Sequence, residues 1–202
     1  MVQSITDVKT ELTKSRSTDS NGVHAGVLAM VSLSAFLCIS KAFAVQICNA
    51  NAVATTPDSD FTVHNDGTVS HQKTGLMWKV CSEGQAWSGG ACTGSVSTHT
   101  WDSALQIAAT LNTSGGYPSL PNYTDWRLPN LKELKSIVEL RCYIPAINET
   151  VFPNTGNSFY WSSSPVAKYG SFNAWGVYFL DGNGSYNFRD NDGRVRLVRS
   201  GQ

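Results

Sequence analysis

Asp125-Trp126-Arg127-Leu128-Pro129-Asn130 runs directly into Leu131-Lys132-Glu133-Leu134-Lys135-Ser136-Ile137-Val138. Pro129 fixes its own φ and drives Leu128 into extended backbone, so a strand-like segment must turn here. Asn130 is placed to cap a helix, and Glu133, three residues on, to reach back to the cap in a capping box. Leu131, Leu134, Ile137 and Val138 then recur at helical spacing. They predict one buried stripe, with Lys132, Glu133, Lys135 and Ser136 in water. Trp126 reads as buried area, and Arg127 as the partner of a carboxylate, Asp125 or Glu133, beneath the helix start.

Upstream, Thr100 can cap another helix whose apolar stripe is Trp101, Ala104, Leu105, Ala108 and Leu111. Phe61-Thr62-Val63-His64 and Thr68-Val69-Ser70-His71 flank Asn65-Asp66-Gly67, a favoured hairpin turn, and Leu76 to Cys81 reads as a further strand. Downstream, 159–164, 173–180, 185–189 and 194–199 are strand-like, the last three separated by Asp181-Gly182-Asn183-Gly184 and Asp190-Asn191-Asp192-Gly193. Two helices and several strands make an α+β domain ending in an antiparallel meander. Alternation puts Trp175, Val177 and Phe179 on one face, predicted to be core. In the final strand Val195 and Leu197 alternate with Arg196 and Val198, and periodicity does not choose the buried side. Trp161 reads as core, and Ser162, Ser163 and Ser164 as hydrogen-bonding the loop that follows.

The chain has 202 residues, 41% of them hydrophobic, room for one ordinary domain plus a tail. Ala25 to Ser40 is almost wholly apolar or small, preceded by Lys14, Arg16 and His24 and followed by Ala42-Phe43-Ala44. The apolar run is shorter than the ~20 residues a spanning helix needs, which predicts a cleaved export signal over 1–44 in preference to an uncleaved anchor, then a tether over 45–60 and the domain over 61–202. The polar stretch 1–22 is long for a signal's leading region and points to a start codon further in. Without residues 1–44 the chain loses Lys9, Lys14, Arg16 and Lys41 against Asp7, Glu11 and Asp19, leaving 11 basic and 12 acidic residues. That near-neutrality argues against a nucleic-acid partner.

After cleavage Cys48, Cys81, Cys92 and Cys142 remain, with no Cys-x-x-Cys pair. Four thiols allow three pairings. Cys81–Cys92 is expected, closing a loop that holds Gly84, Gly89 and Gly90, and with it Cys48–Cys142. Zinc is disfavoured by the scattered spacing.

Thr74-Gly75-Leu76-Met77-Trp78, Asp125-Trp126-Arg127-Leu128-Pro129, Tyr160-Trp161-Ser162-Ser163-Ser164 and Val195-Arg196-Leu197-Val198-Arg199 occur in that order. The series resembles the domain family found at the C-terminus of the Legionella collagen-like adhesin, across nearly all of 60–200. The resemblance implies a C-type-lectin-like fold and, for the adhesin itself, binding of sulfated glycans at the cell surface. In such folds the late strands and loops generally form the ligand face. The collagen-like Gly-X-Y stalk is absent here.

No His-Glu-x-x-His, phosphate-binding loop, dinucleotide glycine pattern or Gly-x-Ser-x-Gly elbow occurs, so motif-readable catalysis has no support. His64, His71 and His99 are scattered and read as strand or loop residues. Asp181-Gly182-Asn183 with Asp192 follows a calcium-loop rhythm only in part: Tyr186 stands where the sharp-turn glycine belongs and Asp192 where a bidentate Glu belongs. Neither metal nor cofactor is expected. The candidate ligand residues are Lys168, Tyr169, Phe172, Asn173, Tyr178, Asp181, Asn183, Tyr186, Asn187, Arg189, Asp190 and Asn191. Tyr, Asn, Ser and Gly with occasional Arg is a recognition palette, because rigid aromatics give area at low entropy cost and short polar groups adapt. The expectation is an exported, non-catalytic, adhesin-like domain that presents this segment to an extracellular glycan or surface protein. The alternatives are an enzyme on the same scaffold and a cell-envelope component with no dedicated ligand.

Overall fold

A computed structural model describes residues 45–113, 123–167 and 172–201. In chain order the elements are β1 (Ile47–Cys48), a 3-10 turn (Asp58–Asp60), β2 (Phe61–Val63), β3 (Thr68–His71), β4 (Leu76–Lys79), β5 (Ala86–Ser88) and β6 (Ala91–Thr93). There follow α1 (Trp101–Thr113), α2 (Leu131–Lys135), β7 (Cys142–Tyr143), β8 (Phe159–Pro165), β9 (Asn173–Tyr178), β10 (Asn183–Phe188) and β11 (Val198–Ser200). The strands form four antiparallel sheets, ordered β11-β4-β3-β2, β10-β9-β8, β1-β7 and β5-β6. The fold class is mixed α+β. Among the described residues no helix is long and apolar enough to cross a membrane.

The β2–β3 hairpin turns where Asn65-Asp66-Gly67 predicts, with Asp66 Oδ1 accepting from Thr68 N at 2.9 Å. The capping box forms: Asn130 Oδ1 accepts from Glu133 N at 2.9 Å, and Asn130 N donates to Glu133 Oε2 at 2.8 Å. Of the predicted stripe, Leu134 and Ile137 are fully buried, Val138 nearly so and Leu131 partly. The helix itself is shorter than its pattern. It stops at Lys135, because Val138 leaves the helical path to bridge Ile147, and Ile137 and Val138 are buried by tertiary packing instead.

The motifs interlock through polar pairs. Arg127 grips Glu133 bidentately at 2.7 Å, while Asp125 takes a different partner, Arg199 Nε, at 2.6 Å. Arg127 and Val198 exchange both backbone hydrogen bonds, at 2.9 and 3.0 Å. Two of the serines after Trp161 reach other elements. Ser162 Oγ donates to Trp175 O, and Ser164 Oγ accepts from Leu131 N at the start of α2.

Two hydrophobic clusters lie on opposite faces of the β10-β9-β8 sheet. Leu134, Ile137 and Val138 join Tyr160, Val177 and Phe179 on one side, whereas Trp101, Ala104 and Ala108 of α1 join Phe159, Trp161, Ala174, Val195 and Leu197 on the other. Both sides of β9 are therefore covered, and the one-face reading is corrected: Val177 and Phe179 are core, Ala174 is equally buried, and Trp175 is only half-buried, edge-on to Tyr186. The final segment behaves alike. Ladder pairing is confined to 198–200, and Val195, Arg196, Leu197 and Val198 are all buried, so alternation had no wet side to reveal.

The segment 45–60, read as a tether, is docked. Gln46 Nε2 donates to Pro145 O and Ile147 O, and β1 pairs with β7 so that Cys48 and Cys142 face each other and bond. Cys81–Cys92 is also bonded. The two cystines are consistent with an oxidising, exported setting. Glu139, 2% exposed, accepts from the backbone N–H groups of Thr55, Thr56 and Arg141 and from both threonine hydroxyls. Composition hid this because Thr55 and Thr56 read as polar linker, while their acceptor lies more than eighty positions away.

Burial acts to raise the Glu139 pKa, but the three backbone donors and the Thr56 hydroxyl outweigh it and hold the carboxyl below its ordinary value. Its stabilisation is complete above the unfolded pKa of about 4.3 and is lost as pH falls through the lower folded value. Glu139→Gln should cost about 2 kcal/mol at neutral pH. In urea melts the gap between parent and variant should narrow on going from neutral to about pH 3, and a constant gap would contradict this role.

Candidate ligand-binding face

The β9–β10 hairpin carries six of the twelve predicted ligand residues, and its register divides them. Tyr178 pairs with Asn183 and Trp175 with Tyr186, so Tyr178, Asn183 and Asn187 project from one side of the sheet while Tyr186 and Phe188 project from the other. The single recognition face read from the sequence is thus two faces. Tyr178, Tyr186, Phe188 and Phe172 are exposed. Asn173 is corrected as a contact: it is 7% exposed, inside the three-stranded sheet. Arg189 lies over the Trp101 ring at 4.1 Å, which ties it to α1. Asp181 accepts from Asn183 at both carboxylate oxygens and closes the turn between the strands. Asp190 and Asn191 are exposed beyond β10, with Asn191 Nδ2 donating to Asn187 Oδ1 at 2.7 Å. Lys168 and Tyr169 lie outside the described residues.

On the Tyr178 side the hairpin overhangs a cleft of about 280 Å³, lined by Thr98, Asn157, Ser158, Phe159, Tyr178, Asn187, Asp192, Gly193 and Arg194. Its floor is fixed by backbone. His99 and Gly193 exchange both hydrogen bonds at 2.9 Å, Arg194 N donates to Phe159 O, and Trp161 N donates to Arg194 O. Two glycines make room. A Cβ at Gly193 would lie 2.5 Å from Trp161 Nε1, which donates to His99 O, and a Cβ at Gly156 would coincide with the Arg194 guanidinium. Burial lowers the His99 pKa, with nearby Asp192 opposing, and its Nε2 is 2.7 Å from Ser97 Oγ.

The candidate residues read from the sequence include Tyr178 and Asn187 of this cleft but not Thr98, Asn157, Ser158, Asp192 or Arg194. Arg194 was absorbed into a predicted strand; the only local hints were the glycines at 156 and 193, whose purpose is visible only when their distant neighbours are known. β10 separates Asp181 from Asp192 by about 17 Å of extended chain, so the calcium-loop rhythm does not bring them together.

A second hollow of about 550 Å³ lies between α1 and the 126–133 segment, walled by Leu105, Ala108, Trp126 and Leu128. Its charged residues, Arg127 and Glu133, are spent on each other: their mutual hydrogen bonding raises the arginine pKa and lowers that of the carboxyl.

No curated protein matches the chain. The model of the Lcl C-terminal domain matches residues 67–199, well over half of the sequence. That span contains all four ordered motifs and the strands and helices they stitch together, and the chain belongs to the Lcl C-terminal domain family.

Proposed function

We propose that this is an exported recognition domain on a C-type-lectin-like scaffold, which binds an extracellular glycan or surface protein through the β9–β10 hairpin without performing catalysis. The observation that carries this reading is the exposure of Tyr178, Tyr186 and Phe188, at 43%, 47% and 61%, on a hairpin whose base is pinned to both cores. Rigid exposed aromatics flanked by Asn side chains offer contact area with little ordering cost. A non-catalytic role is favoured by the larger hollow, whose titratable pair is already neutralised. Membership of a family named for an adhesin domain supports a surface setting.

Glycan-array and surface-protein screens of the parent against Tyr178→Ala/Tyr186→Ala test the reading. Binding should fall about tenfold or more, as for buried aromatic anchors of an interface. The single variants should differ, since the two rings lie on opposite faces. A ligand bound equally by parent and double variant would place recognition elsewhere on the domain.

A further inference from the structure

Resting on that reading, we infer that the cleft beneath Arg194 is a subsite for one neutral, hexose-sized sugar ring of an extracellular glycan. Its volume of about 280 Å³ falls just below the usual range of ligand sites, about 300 to 1,000 Å³, which suits a single ring better than a chain. Its polar side chains come from four separate stretches of the sequence and converge on one space.

Charge defines the ligand. Asp192 and Arg194 share the cleft, yet among the described residues neither side chain is in an ion pair or hydrogen bond, so the two are not spent on each other. The remaining lining residues are uncharged, and the formal charge of the cleft is zero. An anion drawn to Arg194 would meet Asp192, and a cation drawn to Asp192 would meet Arg194. A hydroxyl both donates and accepts, so adjacent hydroxyls of a sugar satisfy a carboxylate and a guanidinium together. Amides extend the same logic. Asn187 Oδ1 already accepts from Phe188 N and Asn191 Nδ2, which leaves its Nδ2 as a donor, and Asn157 stands exposed at the rim. Tyr178, its ring 5.5 Å from Phe159, supplies an apolar wall for the C–H face of the sugar.

The guanidinium also packs against the backbone at Gly156. It occupies the space that a side chain at 156 would fill, so Gly156 is part of the site although it bears no functional group.

The test uses the whole exported chain with three probe sets: neutral methyl glycosides of glucose, galactose, mannose and N-acetylglucosamine; a sulfated heparin disaccharide; and free glycine and serine. Saturation-transfer NMR should report at least one neutral glycoside and weaker or no transfer to the others. Arg194→Ala and Asp192→Asn should each weaken it about tenfold, the loss expected for a hydrogen bond to a charged group. Thermal melts should match the parent, because neither side chain holds another element. Gly156→Ala should weaken binding with Arg194 retained; if that variant does not fold, the other two still decide. Preference for the sulfated probe or for a free amino acid overturns the inference, as does silence from every neutral glycoside, or binding unchanged in Arg194→Ala. Should a surface protein bind through Tyr186 and ignore the cleft variants, the inference fails while recognition by the hairpin stands. Should neither glycan nor surface protein bind, both fail.

Discussion

Arg196→Ala is expected to lower the unfolding free energy by about 3–5 kcal/mol, the range for removing one member of a buried charged network. Arg196 is fully buried, and its guanidinium donates to the carbonyls of Lys79 and Val80 and to the hydroxyls of Ser82 and Thr155. Ser82 Oγ is 2.8 Å from Tyr160 OH, and the Phe152 ring lies 4.8 Å from the guanidinium. Alanine would remove the guanidinium donors to two carbonyls and two hydroxyls, and would leave a cavity between β4 and β8. Nearby Lys79 and Glu83 pair at 3.0 Å, both 5% exposed; burial pushes the Glu83 carboxyl up and the Lys79 ammonium down, and each partner opposes the other's shift. Arg196 adds to this balance by favouring the ionised carboxylate. A thermal melt under non-reducing conditions should show a fall of roughly 10 °C, given about 2–4 °C per kcal/mol for a domain of this size. Arg196→Met should recover part of the loss by filling the volume. A midpoint within about 2 °C of the parent for the alanine variant would show that the network contributes little.

Removal of the Cys48–Cys142 bridge should be of similar consequence. The cysteines are 94 residues apart in sequence, against 11 for Cys81 and Cys92. Chain-entropy estimates give about 4–5 kcal/mol for the longer loop and about 3 kcal/mol for the shorter. Cys48→Ala/Cys142→Ala should therefore shift the denaturant midpoint more than Cys81→Ala/Cys92→Ala. Limited proteolysis of the first variant should cut before Thr55 and spare the body, since Glu139 still holds Thr55 and Thr56. Equal or reversed midpoint shifts would mean that native contacts, rather than loop closure, set the contribution of each bridge.

The features legible in the sequence were those that act over a few residues. Asn130 and Glu133 announced the capping box, Asp66-Gly67 the first hairpin, and Thr100 with its apolar stripe the start of α1; all are local geometry. Reading failed where the partner is distant. Ile137 and Val138 fit a helical stripe equally well whether the helix continues or breaks off to meet Ile147. Gly89 and Gly90 read in the sequence as loop residues of a disulfide cycle, though at φ 58° and 85° they turn the β5–β6 hairpin. The alternation around Arg196 was uninformative because a buried guanidinium is disguised as a surface residue until its four acceptors are known. The candidate site divides on the same ground: residues along one hairpin were legible, whereas the cleft assembles Thr98, Asn157 and Arg194 from segments that meet only in the folded chain.

The last strand closes the domain. β11 pairs with β4, Val198 bridges Arg127, Arg199 clasps Asp125, and Arg196 plugs the space between the sheets. Asp125 lies 74 positions before its partner in this segment and Lys79 lies 117 before its own. One short stretch thus ties a sheet edge, a helix start and a buried polar network together, so whatever frees it unfastens all three at once.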